Sequence, residues 1–224
     1  MSEDTLGPGH HTRVRRMPEL ATYDVEVINA ILDEARFCHV AAIVDGQAVT
    51  VPTLHAREGS TLYLHGSQSN AFMKAVFSCA TAFVSVTIYD GLRLARSGFE
   101  SSIAYRSVVV VGPASQVSDV AEKRRVLDMF VDAILPGRAQ EVRPLREREL
   151  NLTLVVRVEI SEASAKVSHG PTQDDEDDMA LPIWSGTIPA HLEFDAPVPS
   201  SDGAMKDGDV ALPESLVRLY RDQR

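Results

Sequence analysis

Residues 81–89 alternate without interruption. Ala82, Val84, Val86 and Ile88 fall on one side, and Phe83, Ser85 and Thr87 on the other. Successive side chains of a strand point to opposite faces, so this stretch predicts a strand with one buried face. The turn Asp90-Gly91 ends it. The pattern recurs elsewhere. Two β runs, 37–44 and 48–56, flank Asp45-Gly46, which is a strong hairpin signal. A turn at 57–60 then leads to a strand at 61–67, which completes a three-stranded meander. A long strand is expected at 103–117, where Val108, Val109, Val110 and Val111 run together; such a run is buried on both faces or lies at a barrel or dimer seam. A last strand is expected at 152–160.

Helices interrupt this series. Asp24 caps one that carries Val25, Ile28, Leu32 and Ala35 at helical spacing. Asp119 and Glu122 suggest a capping box before Leu127, Phe130, Val131 and Ile134, and Pro136-Gly137 stops that helix. Pro144 begins a short helix. Strands at hairpin spacing with inserted helices predict a mainly β fold with α, a small antiparallel barrel, and not a doubly wound sheet.

The stretch 61–74 carries the main functional expectation. A strand containing Tyr63, His65 and Ser67 on one face runs through Gly66 into a helix at 69–78, which Ser69 caps and which presents Phe72, Ala75 and Val76. Gly66 admits a ligand or another backbone. A strand end, small polar residues, a helix N-terminus and Lys74 together suit a phosphate, and a plain strand-turn-helix accounts for the same residues.

Composition narrows the remaining choices. Against 32 acidic residues stand 22 basic ones, and the net charge of -10 disfavours nucleic-acid and anionic-membrane partners. No apolar run reaches about 18 residues, so no membrane span is expected. Two cysteines, Cys38 and Cys79, without CxxC spacing indicate a reduced, cytoplasmic protein. Residues 1–18 read as a mobile basic arm, 19–190 as the folded domain, and 191–224 as a linker and tail whose short helix presents Leu216, Leu219 and Tyr220. The acidic run 174–178 reads as a solvated loop without calcium-binding spacing.

No nucleotide, P-loop, zinc or serine-hydrolase motif is present. His39, His55 and His65 either converge on a metal or stand as separate hydrogen-bonded histidines, and no metal site is assigned. Arg93, Arg96 and Arg106 suit phosphate or ion pairs equally. Trp184 stacks on a planar ligand or plugs the barrel.

Seven segments in order carry a resemblance: ILDEARFCHVA (31–41), TLYLHGS (61–67), DGLRLARSGF (90–99), AYRSVVVVG (104–112), LPGR (135–138), SAKVSHGP (164–171) and DDEDDMALPIWSGTIP (174–189). The chain resembles the FMN-binding split-barrel family of pyridoxamine 5'-phosphate oxidase-like proteins, in the flavin-nucleotide-binding branch related to nitroimidazole-resistance reductases. That resemblance implies a homodimer with FMN sites built from both chains. It implies that His65, Gly66 and Ser67 lie near the flavin and that Asn70 and Lys74 lie at the phosphate. Pro52 and Thr53 would run under the ring, Tyr105, Arg106 and Ser107 would lie at the dimer seam, and Lys166 and Trp184 would close the site. Two departures stand out. Glu100 and Ser101 replace a histidine pair, and Asn70 replaces an arginine, which removes a charged hydrogen bond worth about 1 to 3 kcal/mol. The implied function is a flavin-dependent oxidoreductase acting on a small molecule, with His65 as the catalytic candidate. A non-catalytic flavin store, a deazaflavin protein or a haem-binding relative are the alternatives; for haem, His65, His55 and the histidines at 10 and 11 are the candidate axial ligands.

Overall fold

In a computed structural model, which describes residues 5–79, 81–202 and 210–222, the alternating runs form two antiparallel sheets. The larger contains β1 (Ala21–Thr22), β2 (Cys38–Val44), β3 (Gln47–Thr53), β6 (Ala82–Leu94), β7 (Ser102–Gly112), β10 (Glu162–Ser168) and β11 (Gly186–Pro189). Its order is β1-β10-β7-β6-β2-β3, and β11 joins the far half of β6. The smaller contains β4 (His55–Glu58), β5 (Thr61–Ser67), β8 (Ala114–Gln116) and β9 (Thr153–Glu159), in the order β4-β5-β9-β8. Five α-helices complete the described chain: α1 (Val25–Glu34), α2 (Ala71–Ser78), α3 (Val120–Ile134), α4 (Glu147–Leu152) and α5 (Glu214–Asp222).

The inner faces of the two sheets share one core. Val40, Val84, Val86, Val108 and Val110 meet Leu62, Leu64, Leu154, Val156 and Val158, all buried. Ile28 and Leu32 of α1 and Met73 and Val76 of α2 join this core. Each aliphatic side chain of this size contributes about 1.5 to 3 kcal/mol when taken fully out of water. The other face of the smaller sheet is covered too, where Tyr63 and Val155 pack under Val126, Phe130 and Leu150 of α3 and α4. The larger sheet has one face packed and one largely open. This is the antiparallel split barrel, mainly β with α.

Several expected elements differ in detail. The run 48–56 is two strands, not one: β3 pairs β2 in the larger sheet, and after Leu54 the chain crosses to β4 in the smaller. Residues 103–117 cross sheets in the same way at Pro113, between β7 and β8. Gly112 permits that crossing, since a Cβ there would sit 1.7 Å from the Glu159 carbonyl oxygen. Within the valine run, Val108, Val110 and Val111 are buried while Val109 stays 39% exposed on the open face. The polar connection expected at 91–102 is partly strand, because β6 continues to Leu94 past an irregularity between Tyr89 and Gly91. β10 was not anticipated. Its inward residues Ala163, Ala165 and Val167 are small, so its alternation is weak. The Asp45-Gly46 turn has positive φ at both residues, 50° and 77°, as a type I′ hairpin requires.

Of the expected arm, residues 1–4 lie outside the described residues. Thr5 bridges Asp24, and Thr12 is buried with its hydroxyl on Glu162. At the other end, 203–209 and 223–224 lie outside the described residues. α5 docks on the same chain, where Glu141 accepts from the backbone N–H of Ser215 at 2.8 Å and from its hydroxyl. No described helix is long and apolar enough to cross a membrane.

Candidate functional site

The open face of the larger sheet is ordered in rows by the strand register. One row runs Pro52–His39–Ser85–Val109–Ser164. The next brings Thr87, Ser107 and Lys166 side by side, and a third brings Tyr89, Tyr105 and Ser168. Paired residues of adjacent strands share a face, so these side chains form one polar and aromatic surface, in which Ser164 and Ser168 at the β10 end are buried. Phe37, Phe83 and Ile43 are exposed on or beside it. Pro52 is tolerated because β3 is an edge strand. His39 stacks edge-on against Phe37 at 5.7 Å. The N-terminal segment borders this surface: His11 lies edge-on to Phe83 at 5.8 Å, and Lys166 Nζ donates to the Arg16 carbonyl at 3.2 Å. His39, weighed from sequence only as a metal ligand, faces this surface, in keeping with its phase opposite buried Cys38 and Val40.

A second group lies where β5 meets α2. Asn70, and not Ser69, caps the helix, with Oδ1 accepting the Met73 N–H at 3.1 Å. Ser69 instead pairs its hydroxyl with that of Ser67 at 2.9 Å. Lys74 N–H is held by the Asn70 carbonyl, and the Ala71 and Phe72 N–H groups meet no acceptor among the described residues. Two free first-turn donors, two exposed serine hydroxyls and the exposed Lys74 therefore surround the positive end of α2. Gly66 fits closely under the helix start, since a Cβ would lie 3.0 Å from Met73 Cγ and 3.2 Å from Asn70 Nδ2, and those side chains would have to shift to admit it. His65 turns toward α3, its ring 4.3 Å from that of Phe130. Its Nδ1 is buried without a partner, and burial lowers its pKa from the ordinary histidine value, which favours the neutral ring.

The remaining candidates lie elsewhere. Thr53 pairs Cys38 on the inner side of β3. Arg106 is occupied: Nε and Nη2 donate to Asp90 at 2.9 and 2.7 Å, and both terminal nitrogens donate to Glu34. The Asp90 and Glu34 hydrogen bonds hold the guanidinium firmly cationic, and Arg106 in turn lowers the Glu34 pKa. Trp184 is 65% exposed and lies against Gly186. His39, His55 and His65 do not converge: the first is on the open face, the second donates from Nε2 to the Leu32 carbonyl at 2.8 Å, and the third sits under α3. Among the described residues no group of three metal-ligating side chains is placed to hold an ion. The acidic run is anchored at its first residue, where Asp174 is ion-paired to Arg96 at 2.7 Å, while Asp175, Glu176 and Asp177 are exposed.

A sequence model of the pyridoxamine 5'-phosphate oxidase family matches residues 24–167. The fold is similar to the flavocytochrome Anf3 from Azotobacter vinelandii, with 37% identity, a TM-score of 0.88, and coverage of 95% of this chain and 97% of that one. An FAD and haem binding protein from Mycobacterium smegmatis is similar at 33% identity and TM-score 0.84, covering 89% of this chain and 97% of that one. A candidate 5-nitroimidazole antibiotic resistance protein from Bacteroides thetaiotaomicron shares the fold at 20% identity and TM-score 0.56, over 66% of this chain and 86% of that one. No curated protein sequence matches.

Proposed function

From a chain that belongs to the pyridoxamine 5'-phosphate oxidase family, we propose a flavin-binding redox protein that works as a homodimer on a small molecule. The observation that carries this reading is the open face of the larger sheet. Phe37, Ile43, Phe83 and Val109 stand exposed there beside Ser85, Thr87, Ser107 and Lys166. An apolar and polar surface of this kind, on a sheet whose other face is packed, is suited to a second copy with a planar ligand between. Two relatives of at least 33% identity are a flavocytochrome and an FAD and haem binding protein, each matched over most of its length.

The residues at the start of α2 fit a flavin phosphate. The hydroxyls of Ser67 and Ser69, the N–H groups of Ala71 and Phe72 and the Lys74 ammonium would hold it. Asn70 supports that cradle as the helix cap and leaves only its Nδ2 as a side-chain donor. Pro52, Tyr105, Ser107 and Lys166 would line the ring, and Trp184 would contact it from the partner side. Bound flavin supplies the electron chemistry, while the protein positions and tunes it. His65, neutral and backed by Phe130, would set the hydrogen-bonding polarity at the strand end. FMN and FAD share the part that this cradle would grip.

A haem beside the flavin is the second reading. It is favoured by the haem named in the Mycobacterium relative and by two imidazoles within reach of solvent on the open face, His11 and His39. His55 is a poor axial ligand because its Nε2 is bonded to Leu32.

The test is the absorption spectrum of the purified protein, before and after adding FMN, FAD or haem, with light scattering and chromatography of the released cofactor. A flavin co-eluting with a dimer is expected, and Lys74→Gln should weaken its binding about tenfold, the scale of one charged hydrogen bond. A colourless monomer that takes up neither flavin nor haem would overturn the proposal.

A further inference from the structure

After β11 the chain leaves the larger sheet at the rim of its open face. The Ala190 N–H donates to the Asp90 carbonyl at 2.9 Å. The next residues border a hollow of about 450 Å³ whose other side includes Phe37, Thr87 and Tyr89. Thr87 and Tyr89 belong to the open-face rows, so His191, Leu192 and Phe194 run along the edge of that face.

This strap is lightly held. Residues 191–202 are all exposed. The Phe194 ring lies 5.6 Å from the Arg36 guanidinium, and the Asp195 carbonyl accepts from the Tyr220 hydroxyl of α5. The far anchor is α5 itself, and it is anchored unlike the other helices. α1 and α2 bury Ile28, Leu32, Met73 and Val76 in the core. Among the described residues of α5 only Ser215 is buried, at 1% exposure, while Leu216, Leu219 and Tyr220 are half-buried.

The hold on Ser215 is a single carboxylate. Glu141, in the turn after α3, accepts the Ser215 N–H at 2.8 Å and the Ser215 hydroxyl as well. It therefore satisfies a first-turn donor of α5 and sits at the positive end of the helix dipole. α5 has nine residues, too few for a stable helix on its own in water. Docking and helix formation are then one step, and a segment with so little apolar burial belongs to the low end of local stability.

We propose that the C-terminal segment is a releasable cover for the rim of the open face, latched by Glu141 on Ser215. With the latch closed, α5 is helical and the strap runs beside Phe37 and Tyr89. With it open, α5 melts, the strap loses its far anchor, and that edge of the face is uncovered. The consequence for cofactor exchange rests on the flavin reading above, whereas the latch stands on its own geometry.

The experiment uses the full-length protein. Hydrogen exchange follows the α5 amides, and hydroxyl-radical footprinting follows Phe37 and Tyr89; neither readout needs a cofactor. Glu141→Ala removes both acceptors and should speed α5 exchange at least about tenfold, and Ser215→Ala removes one hydrogen bond and should speed it about fivefold, the scale of hydrogen bonds to a charged group. In both variants the labelling of Phe37 and Tyr89 should rise, by no more than about twofold because these side chains are already 53% and 49% exposed. Val217→Ala, at an exposed position of α5, should change neither readout. Flavin-loaded Glu141→Ala should release its cofactor faster than the parent. Parent-like α5 exchange in Glu141→Ala, a freed α5 with unchanged labelling of Phe37 and Tyr89, or equal flavin release from variant and parent would refute the proposal. A protein that takes up no flavin yet shows the expected exchange and labelling would refute the flavin reading and support the latch.

Discussion

Asp174 stands in a run of five acidic residues that reads from sequence as solvent-facing, yet its side chain is only 2% exposed. One carboxylate oxygen accepts the Arg96 backbone N–H, and the other accepts from the Arg96 guanidinium at 2.7 Å. Arg96 Nε is already buried without a partner. Asp174→Ala therefore strands a backbone donor, at about 1 to 3 kcal/mol, and removes half of a largely buried ion pair, at about 3 to 5 kcal/mol. The Arg96 side chain keeps 22% exposure, so water recovers part of the guanidinium's solvation. The net loss should fall near the low end, about 3 kcal/mol, or about 6 to 12 °C in Tm for a chain of this length. Asp174→Asn retains the acceptor for the N–H and should lose about half as much. Asp175→Ala and Asp177→Ala, at exposed neighbours, should stay within about 0.5 kcal/mol. Urea unfolding with unchanged m-values is the assay. A loss below about 1 kcal/mol for Asp174→Ala, or equal losses along the run, would refute the reasoning.

Three further outcomes follow from the same geometry. Asn70→Ala removes the α2 cap and should lower stability by about 1 kcal/mol, measured by chemical unfolding, whereas Ser69→Ala should change it little. Gly91 has φ +139°, and a Cβ there would lie 2.1 Å from the Ile188 carbonyl oxygen. Gly91→Ala should detach β11 from β6, seen as faster proteolysis after residue 184 with the barrel's cooperative unfolding retained. His55 and His65 are both held below the ordinary histidine pKa of 6.5, chiefly by burial. The unfolded chain then binds more protons, so their contribution to stability is complete above about pH 6.5 and is lost as pH falls through the lower folded values. His55→Gln should flatten that acid-side decline in urea midpoints taken from about pH 7.5 down to 5.

Much of the barrel was legible because burial on one face imposes period 2 on the sequence. β2, β5, β6 and β9 each carry that signal in branched or bulky residues, and the Asp45-Gly46 turn fixes one hairpin. What alternation does not encode is which sheet a strand joins. At Leu54 and Pro113 the chain leaves one sheet for the other without losing its extended form, so two strands read as one in each place. β10 escaped for a different reason. It lies beside β7 with alanines facing the core, and small residues leave a faint hydrophobic pattern.

The candidate site was legible only where function and local structure use the same residues. The strand-to-helix turn at 65–74 shows itself through Gly66, the serines and Lys74, although Gly66 answers to Met73 and Asn70 and the cap is Asn70. Alternation places His39 on the open face and the resemblance names Pro52, Ser107 and Lys166, but neither shows them side by side, because registers between strands far apart in sequence bring them together.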